Sequence, residues 1–169
     1  EKCPKGFYDA LFPNTGYTYL INLGTPFTMQ VGDDSFHMRQ DGFLPRHKAI
    51  ECYHKKGNKL FGIKFRISPV IFQKKINFSE YKGYIFRLSY LIDPKLIEQV
   101  KSCASFEKRI GLLNKYFEDI VSQHEGSLSS VVLVKNIMDV CDKENSFSRP
   151  VEQIAAVHNI SVRTLQRYF

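Results

Sequence analysis

A chain of 169 residues, 43% hydrophobic and 24% charged, has room for one or two domains with a real core and the composition of an ordinary soluble globular protein. No apolar run reaches the length of a membrane-spanning helix, and Glu1 to Ala10 carry no basic-then-apolar leader; a start without Met makes a trimmed terminus the expectation. Cys3, Cys52, Cys103 and Cys141 lie far apart with no C-x-x-C pair, which argues against a zinc site and a disulfide framework and for reduced thiols in the cytoplasm.

Glu1 to Asn14 read as an irregular lead-in closing on the turn-prone Pro13-Asn14-Thr15-Gly16. From Tyr17 the chain alternates, with Tyr17, Tyr19, Ile21 and Leu23 on one face and Thr18, Leu20 and Asn22 on the other, which predicts a strand. Gly24-Thr25-Pro26 breaks it. Phe27 to Val31 and Ser35 to Arg39 form a hairpin about Gly32-Asp33-Asp34. Phe43 to Pro45 and Ala49 to His54 supply further strands. Leu60 to Ile67 alternates most clearly, with Phe61, Ile63, Phe65 and Ile67 on one side and Gly62, Lys64 and Arg66 on the other. Short strands at this turn spacing predict a small sandwich or barrel with those aromatics inward.

The period then changes. Ser68-Pro69 opens a short helical stretch, and Tyr84 to Leu91 reads as a last strand or an extended connection. Asp93-Pro94 caps and starts a helix to about Ser102, and Ser105 caps a longer one to about Gln123. Phe106, Ile110, Leu113, Phe117 and Val121 form its apolar stripe, which suits packing on its own barrel or a dimer seam without deciding between them. A third helix is predicted over roughly Ser129 to Asp142, with Val132, Ile137 and Val140 inward. Asn145 to Arg149 reads as a polar linker.

Net charge is +7, and its distribution is uneven. Lys and Arg between Lys55 and Arg87 number nine against one acid, Glu80, whereas from Arg149 onward there are three Arg and one Glu. The excess is either a solvated face or a surface that attracts phosphates or an acidic effector.

The last twenty residues, PVEQIAAVHNISVRTLQRYF, predict a helix, a tight turn and a second helix. Ser148, Arg149 and Pro150 signal the start; Ile154, Ala155 and His158 recur at helical spacing, with Ala155 small enough for a close helix crossing. Asn159 sits where the turn demands a left-handed backbone. Ser161 caps a second helix whose Leu165, Tyr168 and Phe169 point back at the first, leaving Val162, Arg163, Gln166 and Arg167 outside.

Ile160-Ser161-x-Arg163-Thr164-Leu165-Gln166-Arg167-x-Phe169 closely resembles the first helix-turn-helix of AraC/XylS-type transcription regulators. His158 departs from that pattern, where an apolar residue is usual, and so does Asn159, where Gly is usual. Such regulators carry two of these motifs in one helical domain, and this chain is expected to hold only part of it. In the front half, Asn22-Leu23-Gly24-x-Pro26-Phe27, Leu60-Phe61-Gly62-Ile63-Lys64-Phe65 and Ser105-Phe106-Glu107-x-Arg109-x-x-Leu112-Leu113 look like the cupin-like sensor domain often joined to such readers. That likeness covers approximately Pro13 to Asp142.

The resemblance implies an α+β protein: a cupin-like antiparallel β-barrel sensor over 1–92, a helical part with a dimerisation role left open over 93–145, and an incomplete DNA reader over 146–169. It implies an effector-responsive, sequence-specific DNA-binding regulator in the cytoplasm, with DNA and a small-molecule effector as partners, a homodimer left open, no membrane, no cofactor and no catalysis. In the reading helix, Arg163 and Arg167 suit guanine, Gln166 adenine and Val162 a thymine methyl, while Ser161 and Thr164 can hold phosphates. Tyr17, Tyr19, Ile21, Phe61, Ile63 and Phe65 either line an effector pocket or fill the barrel core. A cupin-type metal enzyme is the competing class, although His37, His47, His54, His124 and His158 form no H-x-H or H-x-x-x-H pair. An effector-free interaction module is a third reading. No G-x-S-x-G nucleophile motif and no Gly-rich phosphate loop is present.

Overall fold

The computed structural model describes residues 6–11, 17–44, 49–65, 67, 85–124, 126 and 128–168. The chain divides into two units, residues up to Asp119 and residues from Ile120 onward, so the boundary falls inside the longest helix.

The first unit is built from β1 (Phe7–Leu11), β2 (Tyr17–Asn22), β3 (Phe27–Val31), β4 (Asp34–Met38), β5 (Gly42–Leu44), β6 (Ile50–His54), β7 (Leu60–Phe65) and β8 (Phe86–Arg87). A short 3-10 turn, Leu88–Tyr90, leads into α1 (Pro94–Ser102) and α2 (Phe106–Gln123). All pairing among these strands is antiparallel, in two four-stranded sheets ordered β1-β6-β3-β4 and β7-β2-β5-β8. The expected closed barrel is therefore corrected to two separate sheets. No ladder among the described residues joins them, and β5 and β8 are only three and two residues long, too short to carry pairing around a corner. The lead-in also holds a strand, since β1 pairs with β6 from Phe7 opposite His54 to Leu11 opposite Ile50. The helical stretch expected at Ser68-Pro69 lies outside the described residues.

Alternation explains the layering. Every second residue of a strand faces the same way, and β2 carries a core residue on each face. Leu20 joins Phe27, Met29, Ile50 and Cys52 in the space between the sheets. Tyr19 and Ile21 face the other way, into a cluster with Phe43, Phe61, Leu88, Ile97, Val100 and Leu113. The β7-β2-β5-β8 sheet is thus a middle layer, with the other sheet on one face and helices on the opposite face. The aromatic face of β2 and β7 lies under the helices, not in the space between the sheets where it was expected.

The helices start as predicted. The Asp93 carboxylate accepts the Lys95 N–H at 2.8 Å, with Pro94 in the first turn, and Ser105 Oγ accepts the Lys108 N–H at 3.2 Å. The α2 stripe is rotated from its expected line. Leu113 is buried and Phe117 half-buried, but Phe106 is 58% exposed and Ile110 and Val121 are also exposed. Arg109 is the cause: its guanidinium is buried, donating from Nε to the Val100 carbonyl at 3.1 Å and from a terminal nitrogen to the Cys103 carbonyl. It satisfies carbonyls that the end of α1 leaves open, and this fixes the roll of α2.

Candidate nucleic-acid interface

The second unit contains α3 (Leu128–Lys143), α4 (Val151–Val157) and α5 (Val162–Tyr168). Leu133, Ile137 and Cys141 recur four apart on α3 and form one cluster with Ala155 of α4 and Leu165 of α5. Val151, Ile154, Ile160 and Val162 pack around it. Of the residues expected inward on α3, Ile137 is buried and Val140 half-buried, but Val132 is 50% exposed. By its packing, α3 belongs with the last two helices.

Two asparagines close these helices in the same way. Asn145 has φ 49° and Asn159 φ 52°. After α3, the Ser146 N–H reaches the Cys141 carbonyl at 2.9 Å and the Asn145 N–H reaches that of Asp142 at 3.3 Å. After α4, Ile160 donates to Ala155 at 3.0 Å and Asn159 to Ala156 at 3.1 Å. Both patterns are the six-to-one and five-to-two bonds of a Schellman ending, in which Asn tolerates the left-handed position. The left-handed backbone expected at Asn159 is present. The expected linker, Asn145 to Arg149, is instead an ordered turn: Ser146 is buried, Arg149 donates its N–H to the Ser146 carbonyl at 3.0 Å, and its guanidinium pairs with Glu144 at 3.1 Å.

Ser161 caps α5. Its Oγ accepts the Thr164 N–H at 3.1 Å and lies 2.9 Å from the Thr164 hydroxyl. Leu165 is only 4% exposed, which anchors one face of α5 and turns Arg163, Gln166 and Arg167 to the exposed face. Val162 departs from the expected outward set, because it is half-buried against the Ile137–Leu165 cluster. The side chain of Tyr168, and Phe169, lie outside the described residues. Residues 120–169 carry five Lys and Arg and five Asp and Glu, so this unit is electrically neutral as a whole.

The six residues expected at an effector pocket do come together, in the core beneath the helices. Tyr19 and Ile21 are fully buried and Phe61 nearly so; Tyr17, Ile63 and Phe65 are half-buried beside them. Tyr19 meets Phe65 with ring centroids 5.0 Å apart and Phe43 edge-on at 5.7 Å, and Phe65 meets Phe117 at 5.0 Å. Two grooves among the described residues lie elsewhere in this unit. A groove of about 400 Å³ runs between β4 and β8, and one of about 240 Å³ adjoins it toward α1; Arg39, Gln40, Asp41 and Arg87 line both. Sequence reading missed this place, and its one available signal was Arg87 at the end of the basic run.

Among the described residues no three His, Cys, Asp or Glu side chains are grouped so as to hold a metal ion. His54 stacks on Phe27 with ring centroids 5.2 Å apart and meets Phe7 at a tilt at 4.5 Å, and His158 ends α4. His47 lies outside the described residues. Burial, with Asp9 nearby, pushes the Cys52 thiol up to about 11. No described helix is long and apolar enough to cross a membrane.

Comparison of the chain with protein-family models, with curated proteins and with solved structures gives no match.

Proposed function

We propose that this chain is the sensor, together with a DNA-reading helix-turn-helix, of an AraC/XylS-type transcription regulator. The observation that carries the reading is the pairing of the Ser161–Phe169 motif with its geometry. A serine-capped helix is anchored by one buried leucine and turns Arg163, Gln166 and Arg167 outward. Arg donating in bidentate fashion to guanine and Gln to adenine is the chemistry of major-groove readout. The mutual engagement of Ser161 and Thr164 makes them cap residues first, and the half-burial of Val162 moves the base-reading role onto the three longer side chains. The Asn159 turn and the small Ala155 set the approach of α4 to α5, while α3 supplies the third side of their common core. On this reading the DNA-binding unit begins with α3.

The first unit is consistent with a cupin-like sensor. The β2–β7 pair encloses the β3–β6 pair in sequence, the nested order of a double-sheet jelly roll, the architecture to which cupins belong. Selection of duplexes from a random pool by the complete gene product tests the reading. It should return a consensus with G or A at the positions facing α5. Recovery of sequences without any consensus would overturn it.

A further inference from the structure

We propose that the two adjoining grooves beside β4, β8 and α1 bind a small amphipathic organic anion, with a carboxylate or phosphate-ester head on an apolar body. This deepens the reading of the first unit as a sensor and rests on it, by naming the class of effector.

The argument starts from charge accounting at the shared rim. Asp41 is nearly used up: its side chain is only 11% exposed, one oxygen accepts the Asn22 N–H at 2.8 Å, and the other pairs with Lys101 at 2.8 Å. Lys101 has a second partner in Glu98 at 3.6 Å. Arg39 and Arg87 are exposed on the same rim, and among the described residues neither has a carboxylate within ion-pair distance. Among the described residues, two guanidinium forks thus share one place with no carboxylate to take them. A planar carboxylate or a phosphate matches such forks in bidentate fashion, which a lysine cannot reproduce.

The floor supplies the second half of the specificity. Phe36, Met38, Ile85 and Phe86 line the larger groove beneath the arginines. Gly42 lets the β5 backbone close that floor, since a Cβ there would meet Met38 Cε at 2.6 Å and Ile85 Cγ2 at 3.2 Å. The larger groove, about 400 Å³, falls within the range of small-molecule sites. An inorganic anion would leave the apolar floor wet, and a neutral hydrophobe would leave the arginines unmatched. A molecule with both parts satisfies both. Lys101 lies on α1 and lines the smaller groove, so a head group at this rim touches the helical layer as well as the sheet edge.

Calorimetric titration of the 169-residue chain with octanoate, octyl phosphate, octanol and inorganic phosphate tests the site. At least one of the two amphipathic anions should bind saturably at one per chain and raise the melting temperature, and the tighter of the two identifies the head group. Arg39→Gln with Arg87→Gln should weaken that binding by roughly tenfold or more while the unliganded melting temperature holds. If that double variant melts early, Arg87→Lys keeps the charge, loses the fork, and should still weaken binding several-fold. Absence of binding by either anion, equal binding of octanol or inorganic phosphate, or undiminished binding by variants that fold normally would overturn the proposal. Failure here with operator recognition intact removes the effector site alone, whereas lost recognition with anion binding intact removes the DNA-reading proposal alone.

Discussion

Asn58 is almost fully buried and uses both ends of its amide. Its nitrogen donates to the Thr25 hydroxyl at 2.8 Å, the Pro26 carbonyl at 3.0 Å and the Thr25 carbonyl, and its oxygen accepts the Lys55 N–H at 2.7 Å. One side chain thus binds the β2–β3 turn to the β6–β7 turn. Gly24 lies at the same junction, where a Cβ would come within 2.2 Å of the Gly57 carbonyl oxygen. Asn58→Ala should cost about 2 kcal/mol in denaturant unfolding, because it removes at once the partner of two part-buried carbonyls and an N–H. A loss under about 0.5 kcal/mol would show that these groups find other partners. Cys52 gives a pH-dependent prediction. Its folded pKa is raised, so its contribution is fully present below the ordinary thiol value near 9 and is lost as pH rises toward about 11. Relative to Cys52→Ala, the native chain should lose on the order of 2 kcal/mol between those limits. Parallel stability curves for the two chains would contradict the burial of that thiol. Neither residue stood out in the sequence, because a buried hydrogen-bonding amide and a buried thiol have no local pattern.

At the scale of elements, what could be read was periodicity and caps, and what could not was the direction in which a face points. The alternation of β2 and β7 marks one side for Tyr19, Ile21, Phe61 and Ile63, but Leu20 and Leu60 on the other side also pack into a core, so only the third layer, α1 and α2, decides which is which. The α2 stripe was misplaced because its inward line contains an arginine, Arg109, whose burial rests on helix-end carbonyls and not on hydrophobicity. Arg109→Met keeps volume and removes the donors; it should lower the melting temperature by several degrees, corresponding to about 2 kcal/mol, and loosen amide protection at the end of α1 first. Asn159 was legible because a left-handed turn narrows the choice of residue, whereas Asn145 was read as linker because the same chemistry sat among polar neighbours. The φ of 52° predicts that Asn159→Gly is neutral or slightly stabilising and that Asn159→Val costs about 1–2 kcal/mol in thermal unfolding. Equal stability of the Gly and Val variants would deny the left-handed cap.

For the whole molecule, the net charge belongs to the unit that does not carry the proposed reading helix. The entire excess of +7 belongs to residues up to Asp119, and the unit carrying α5 is neutral. Counterion release from that unit should therefore be small, and any affinity it has for DNA should depend on base contacts more than on phosphate neutralisation. The proposed division of labour between sensor and reader was drawn in the sequence from two adjoining likenesses. The membership of α3 was not, because its Leu133–Ile137–Cys141 face makes sense only once Ala155 and Leu165 are opposite it. The most direct test of the account is the ratio of affinities for a selected operator and a scrambled duplex at one salt concentration, measured for the complete gene product and for its Arg163→Ala/Arg167→Ala variant. The account predicts that the native ratio, expected at about a thousandfold or more, collapses toward unity in the variant while the melting temperature is unchanged. A folded double variant that keeps the native ratio would contradict the assignment of α5 as the reading helix.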